Sequence, residues 1–174
     1  MTSTIYNHFA NHATAGKRDF MMAALGMIKR FWIDTNGALD YIKTLEADNS
    51  ALGCQSAGWT SKRRIDKPEP LRDVLITMEQ KLNSVAGNKK LVEWWAVYLP
   101  RDGYVMPHVH STDWAGVVYV DVDYNDGLLV FNEFDDEYAI LPERNLAVIF
   151  PGDCMHLVTP SRALHRYSLA MNRV

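Results

Sequence analysis

The sequence predicts an α+β domain in which a mostly helical N-terminal layer packs against a double-sheet jelly roll. Three observations carry this expectation. Short runs rich in Val, Ile, Tyr, Trp and Phe, separated by turn residues, crowd the half after Lys90. Apolar stripes at helical spacing are confined to the half before it. The chain has 174 residues, 48% of them hydrophobic, which suits one core without staples. We therefore expect a single domain over 1–174, with 1–89 a mostly helical support layer and loop and 90–174 the jelly-roll core.

The elements follow in order. Gly16 or Asp19 starts a helix running through Ile33, and Asn36-Gly37 supplies the break after it. Leu39, Ile42 and Leu45 share one face of a second helix. Residues 49–67 show no period and read as a long loop, with the basic run Lys62-Arg63-Arg64 inside it. Pro68 and Pro70 introduce a third helix, whose Leu71, Val74, Leu75, Met78 and Leu82 form one stripe ending near Gly87. Strands are predicted at 91–99, 108–110, 116–122, 128–131, 138–141, 146–150, 156–159 and 166–171, with breaks marked by Pro, Gly, Asn and Asp.

Composition excludes several function classes. Eighteen Lys and Arg against 21 Asp and Glu give a net charge of −3, so no broad electrostatic grip on nucleic acid is expected. The apolar run 20–28 is far short of the roughly 20 residues a membrane span needs. The two cysteines, Cys54 and Cys154, form neither a disulfide framework nor a zinc knuckle. A cytoplasmic protein with no membrane partner is expected, and nothing in the sequence specifies its oligomeric state.

The chemistry concentrates in the β half. Residues at i and i+2 of a strand point to the same side, so His108 and His110 form a chelating pair. His156 opens a later strand directly after a Pro-Gly turn, and a jelly roll can bring it to the same mouth. Three imidazoles on one face leave the remaining positions of a metal ion open. Arg166 and Ser168 likewise share a face. A guanidinium directed into a barrel requires an anion, either an internal Asp or Glu or a bound carboxylate. Tyr98 and Tyr119 are candidates for further hydroxyl contacts inside the barrel.

The ordered set Gly103-Tyr104-Val105-Met106-Pro107-His108-Val109-His110, Asp113-Trp114-Ala115-Gly116-Val117-Val118-Tyr119-Val120, Phe150-Pro151 with His156, Val158 and Pro160, and Arg166-Tyr167-Ser168 with Asn172 resembles the small 2-oxoglutarate- and iron(II)-dependent oxygenases. The resemblance spans residues 90–174, with a fainter echo at Gln55-Ser56 and Gly58-Trp59. It implies a double-stranded β-helix, iron(II) as metal, and 2-oxoglutarate and O₂ as co-reactants. It further implies a dioxygenase that hydroxylates an unidentified prime substrate with release of succinate and CO₂. His108 and His156 would be iron ligands, and Arg166, helped by Ser168, would bind the distal carboxylate of 2-oxoglutarate. The chain departs from the family at the middle ligand, where a carboxylate is usual and His110 stands. Strand parity favours His110, and Asp113 is the alternative if the strand bulges. Two further readings stay open, a cupin-like three-histidine dioxygenase that needs no 2-oxoglutarate, and a non-catalytic jelly-roll binding module.

Overall fold

The structure, a computed structural model, describes residues 27–48, 55–133 and 136–174. Among these residues ten strands form two antiparallel sheets. β1 (Lys29–Trp32), β2 (Trp59–Thr60), β3 (Val92–Pro100), β5 (Trp114–Asp121), β8 (Leu146–Pro151) and β10 (His165–Arg173) make the larger sheet, in the order β1-β8-β5-β10-β3-β2. β4 (Val105–His108), β6 (Leu129–Glu133), β7 (Asp136–Ile140) and β9 (His156–Val158) make the smaller one, in the order β4-β9-β6-β7. The two faced sheets are the expected jelly roll.

Strand alternation sorts the apolar residues into two layers. Leu99, Ala115, Tyr119, Phe131, Phe150 and Val158 belong to one buried cluster, which draws on both sheets. The opposite face of the larger sheet carries Trp94, Ala96, Val118, Val120, Leu169 and Met171, and the helices cover it. α1 (Ala38–Lys43) contributes Ile42, and α2 (Arg72–Ala86) contributes Val74, Leu75, Met78 and Leu82. Burying four such side chains removes apolar area worth roughly 1.5–3 kcal/mol each. α2 stops at Gly87, whose φ of 72° is the left-handed cap that glycine adopts without a Cβ penalty.

Two expectations for the first half need correction. The predicted first helix lies mostly outside the described residues, and its last part, Lys29–Trp32, is strand β1, paired with Leu146–Ile149 of β8. Trp59–Thr60 inside the expected loop forms β2 on the edge of β3. Neither short segment carries a period of its own, so the free edges of β8 and β3 decide their conformation. No helix among the described residues is long and apolar enough to cross a membrane.

Candidate active site

His108 closes β4 and stands directly opposite His156 at the start of β9. The ladder is irregular between Val105 and His108, and the strand ends at His108 rather than continuing to His110. The convergence predicted for the two histidines therefore does not rest on strand parity. His110 is held instead by its backbone N–H, which donates to the Gly152 carbonyl at 2.7 Å, docking the segment onto the turn after β8. Gly152 permits this approach: a Cβ there would lie 1.9 Å from the Thr112 carbonyl oxygen.

The three imidazoles His108, His110 and His156 bring one ring nitrogen each within 4.8 Å of one another. Two rings have their tautomers set by backbone. His108 Nδ1 lies 2.9 Å from the Met106 carbonyl, and His156 Nδ1 lies 2.9 Å from the Cys154 carbonyl. A carbonyl only accepts, so both Nδ1 atoms carry hydrogen, which leaves Nε2 of each ring as the atom available to a ligand. His110 Nε2 lies 3.3 Å from His156 Nε2. Burial, followed by the neighbouring His108 and the Arg63 guanidinium, pulls the His110 pKa down to about 4. Burial, followed by His108, pulls His156 down to about 3. Both rings are neutral at pH 7, the form that ligates metal. Converging imidazole lone pairs fit a first-row divalent cation.

Asp113 does not join them. Its Oδ2 is ion-paired to Arg173, whose side chain is fully buried, and to Lys90 at 3.3 Å. Arg173 is also held by Asn83 and Asn88, so this carboxylate belongs to a polar cluster around Arg173 beside the end of α2.

The imidazoles open into a pocket of about 250 Å³, at the small end of ligand-sized cavities. Arg166 and Ser168 of β10 line it, both almost wholly buried. The Arg166 guanidinium stacks over the Tyr119 ring at 4.7 Å and donates through Nη1 to the Gly127 carbonyl at 3.2 Å. Its Nε has no partner, and it makes no ion pair within 4.0 Å among the described residues. Asp126 stands close enough to feel its charge, yet burial dominates and holds that carboxyl above the usual carboxylate range. A buried guanidinium that lines a cavity and has an unpartnered donor fits a carboxylate ligand. Tyr119 is fully buried beside Arg166, and its hydroxyl is unpartnered.

Tyr98 is elsewhere. Val97 and Leu99 face the pocket, so the pleat turns Tyr98 to the other side of β3. There it stacks on Trp59 at 6.0 Å and Tyr167 at 5.0 Å, and the expectation of a cosubstrate contact from this residue is corrected. Conversely, Arg63, Trp95 and Gln55 line the pocket without having been singled out as site residues. Arg63 sits 4.7 Å over the Trp95 ring, and the basic run containing it was the available signal. His165 pairs with Asp121 on the outer surface.

Fold and site together define a double-stranded β-helix with a histidine-rich mouth. No protein-family model and no curated protein sequence matches the chain. Solved structures do. A prolyl-4-hydroxylase from Pseudomonas putida superposes with a TM-score of 0.67 at 16% identity, over 88% of this chain and 99% of that one. A 2OG-Fe(II) oxygenase family oxidoreductase from Burkholderia pseudomallei gives 0.65 at 10% identity, over 93% and 90%. The collagen prolyl hydroxylase of Paramecium Bursaria Chlorella virus-1, solved with 2OG, gives 0.64 at 12% identity, over 85% and 97%. The chain has the fold of these oxygenases, and the resemblance read from residues 90–174 is upheld at that level.

Proposed function

We propose that the chain is a 2-oxoglutarate- and iron(II)-dependent dioxygenase that hydroxylates a prime substrate with release of succinate and CO₂. The observation that carries this reading is the pairing, in one pocket, of three converging imidazoles with a buried guanidinium that makes no ion pair among the described residues and whose Nε is unpartnered. Under this reading His108, His110 and His156 hold iron(II), and Arg166 with Ser168 receives the distal carboxylate of 2-oxoglutarate. Tyr119 backs the guanidinium. Iron(II) supplies O₂ activation, and 2-oxoglutarate supplies two electrons as it is cleaved.

The chain's own residues do the positioning. Gly127 anchors one arm of Arg166 through its carbonyl, and the side chain lines the cavity. Phe150, Leu99 and Val158 wall the cavity with apolar surface, which limits water around the reacting groups. Three neutral ligands leave the site one unit more positive than the usual set with a carboxylate, which favours a dianionic ligand. A cytoplasmic setting suits this reading, because reducing conditions maintain iron(II).

The test is an anaerobic titration with iron(II) and then 2-oxoglutarate. The expected result is a visible charge-transfer band that appears only when both are present, followed by succinate formation on admitting air. Metal binding without any response to 2-oxoglutarate would favour a cupin-like dioxygenase, a reading supported by the all-histidine ligand set. No metal binding would leave a non-catalytic module.

A further inference from the structure

Two of the three imidazoles have an acceptor on Nδ1, the carbonyls of Met106 and Cys154. The third, His110, shares its pocket with a side chain from the far end of β10. Asn172 is 2% exposed and lines the same pocket as His110. Its amide is oriented by a carboxylate: Nδ2 donates to Glu93 Oε1 at 3.2 Å. Glu93 can only accept, so Oδ1 is forced to the other side, where it is buried and lacks a partner of good geometry. Glu93 in turn accepts from Arg63 Nη1 at 2.6 Å, and Arg63 lies over Trp95, whose ring is 6.3 Å from His110.

We propose that Asn172 is a positioning residue of the metal site, accepting the Nδ1 proton of His110 so that its Nε2 faces the cation, with Glu93 and Arg63 locking the amide. The inference rests on the three-histidine reading above. It explains how a histidine lying beyond the end of its strand, without a backbone carbonyl on Nδ1, is kept in the ligating tautomer. The relay also brings the Glu93 carboxylate behind the middle ligand, where the fold's relatives in sequence pattern would place a carboxylate in direct contact. It further ties the loop carrying Arg63 to the geometry of the ligand set.

Zn(II) alone serves as the probe, at pH 8. In the Zn(II)-loaded wild type, proton NMR should show the Nδ1 protons of His108, His110 and His156 protected from exchange. Asn172→Leu should lose the protection of His110 only and weaken Zn(II) binding by about 10–100-fold. Asn172→Gln, which keeps both an acceptor and a donor for Glu93, should retain both. An unprotected His110 proton in the wild type, or unchanged binding and protection in Asn172→Leu, overturns the role of Asn172 while leaving the metal site standing. Failure of the wild type to bind Zn(II) overturns the three-histidine reading and this inference with it.

Discussion

His108 and His156 are direct cross-strand partners in the β4–β9 ladder, with ring centroids 4.2 Å apart. Side chains opposite one another in an antiparallel pair stand close, and here both are imidazoles. Each ring is also tied to the carbonyl two residues before it, so the backbone itself sets both tautomers. The ladder thus sets this pair, whereas His110 reaches it from outside the ladder.

Removing either partner of that pair should therefore cost metal affinity heavily. We expect His108→Ala and His156→Ala each to weaken Zn(II) binding by more than the ~10–100-fold typical of an outer hydrogen-bond partner. Asp113→Ala should leave Zn(II) binding unchanged and instead destabilise the fold by about 1–3 kcal/mol, because buried Arg173 loses a charged partner. Isothermal titration and urea unfolding measure the two effects. Loss of metal binding in Asp113→Ala would reinstate that carboxylate as the middle ligand.

Arg166 offers a test in which stability and binding move apart. Replacing an isolated buried cation by an apolar side chain of similar length is neutral or stabilising, whereas breaking a structural ion pair is costly. Arg166→Met is expected to hold or raise the unfolding midpoint while 2-oxoglutarate binding falls about 10–100-fold, the worth of ~1.5–3 kcal/mol for a charged hydrogen bond. Iron(II) binding should persist. A strongly destabilised variant with unaltered 2-oxoglutarate affinity would assign the guanidinium to structure alone.

Gly152 joins the fold to the site. Its carbonyl receives the His110 N–H, and its own N–H donates to the Asp113 carbonyl at 3.0 Å. A methyl group added there meets the Thr112 carbonyl oxygen, so Gly152→Ala must push the 110–113 segment away. We expect a stability loss of about 1–3 kcal/mol, as for other overpacked positions, together with weakened Zn(II) binding. A variant that binds metal like the wild type would show that the turn does not position His110.

Asp126 makes stability depend on pH. Burial first, opposed by Arg166 and Ser161, raises its pKa above the unfolded value. The folded state then holds the proton more tightly than the unfolded chain does. Its contribution is present below the unfolded pKa and is lost as pH rises through the folded one. Unfolding midpoints measured from pH 3 to 8 should fall more steeply for the wild type than for Asp126→Asn over that window. Parallel curves would exclude this carboxyl as the source.

Much of the fold was legible because its signals are local. The stripe Leu71, Val74, Leu75, Met78 and Leu82 and the Pro and Gly at its ends specify α2 almost to the residue, and β-rich runs locate all eight core strands to within a few positions. β1 and β2 were not legible, since four and two residues make no period and their conformation comes from the edge they join. The side of Tyr98 was misjudged for a related reason: which face of a strand is inward depends on what packs against it.

The chain by itself determined which chemical groups were available and in what order, three imidazoles, a guanidinium and a hydroxyl on turn-bounded strands. Only the tertiary structure decided which atoms meet. His108 faces His156 because β4 and β9 share a register, and His110 reaches them through Gly152 rather than through its own strand. Asp113 is drawn off by Arg173, and Asn172 lines the same pocket as His110. Hydrogen-bond register and side-chain facing are properties of pairs of distant segments, so they exist only once those segments have come together.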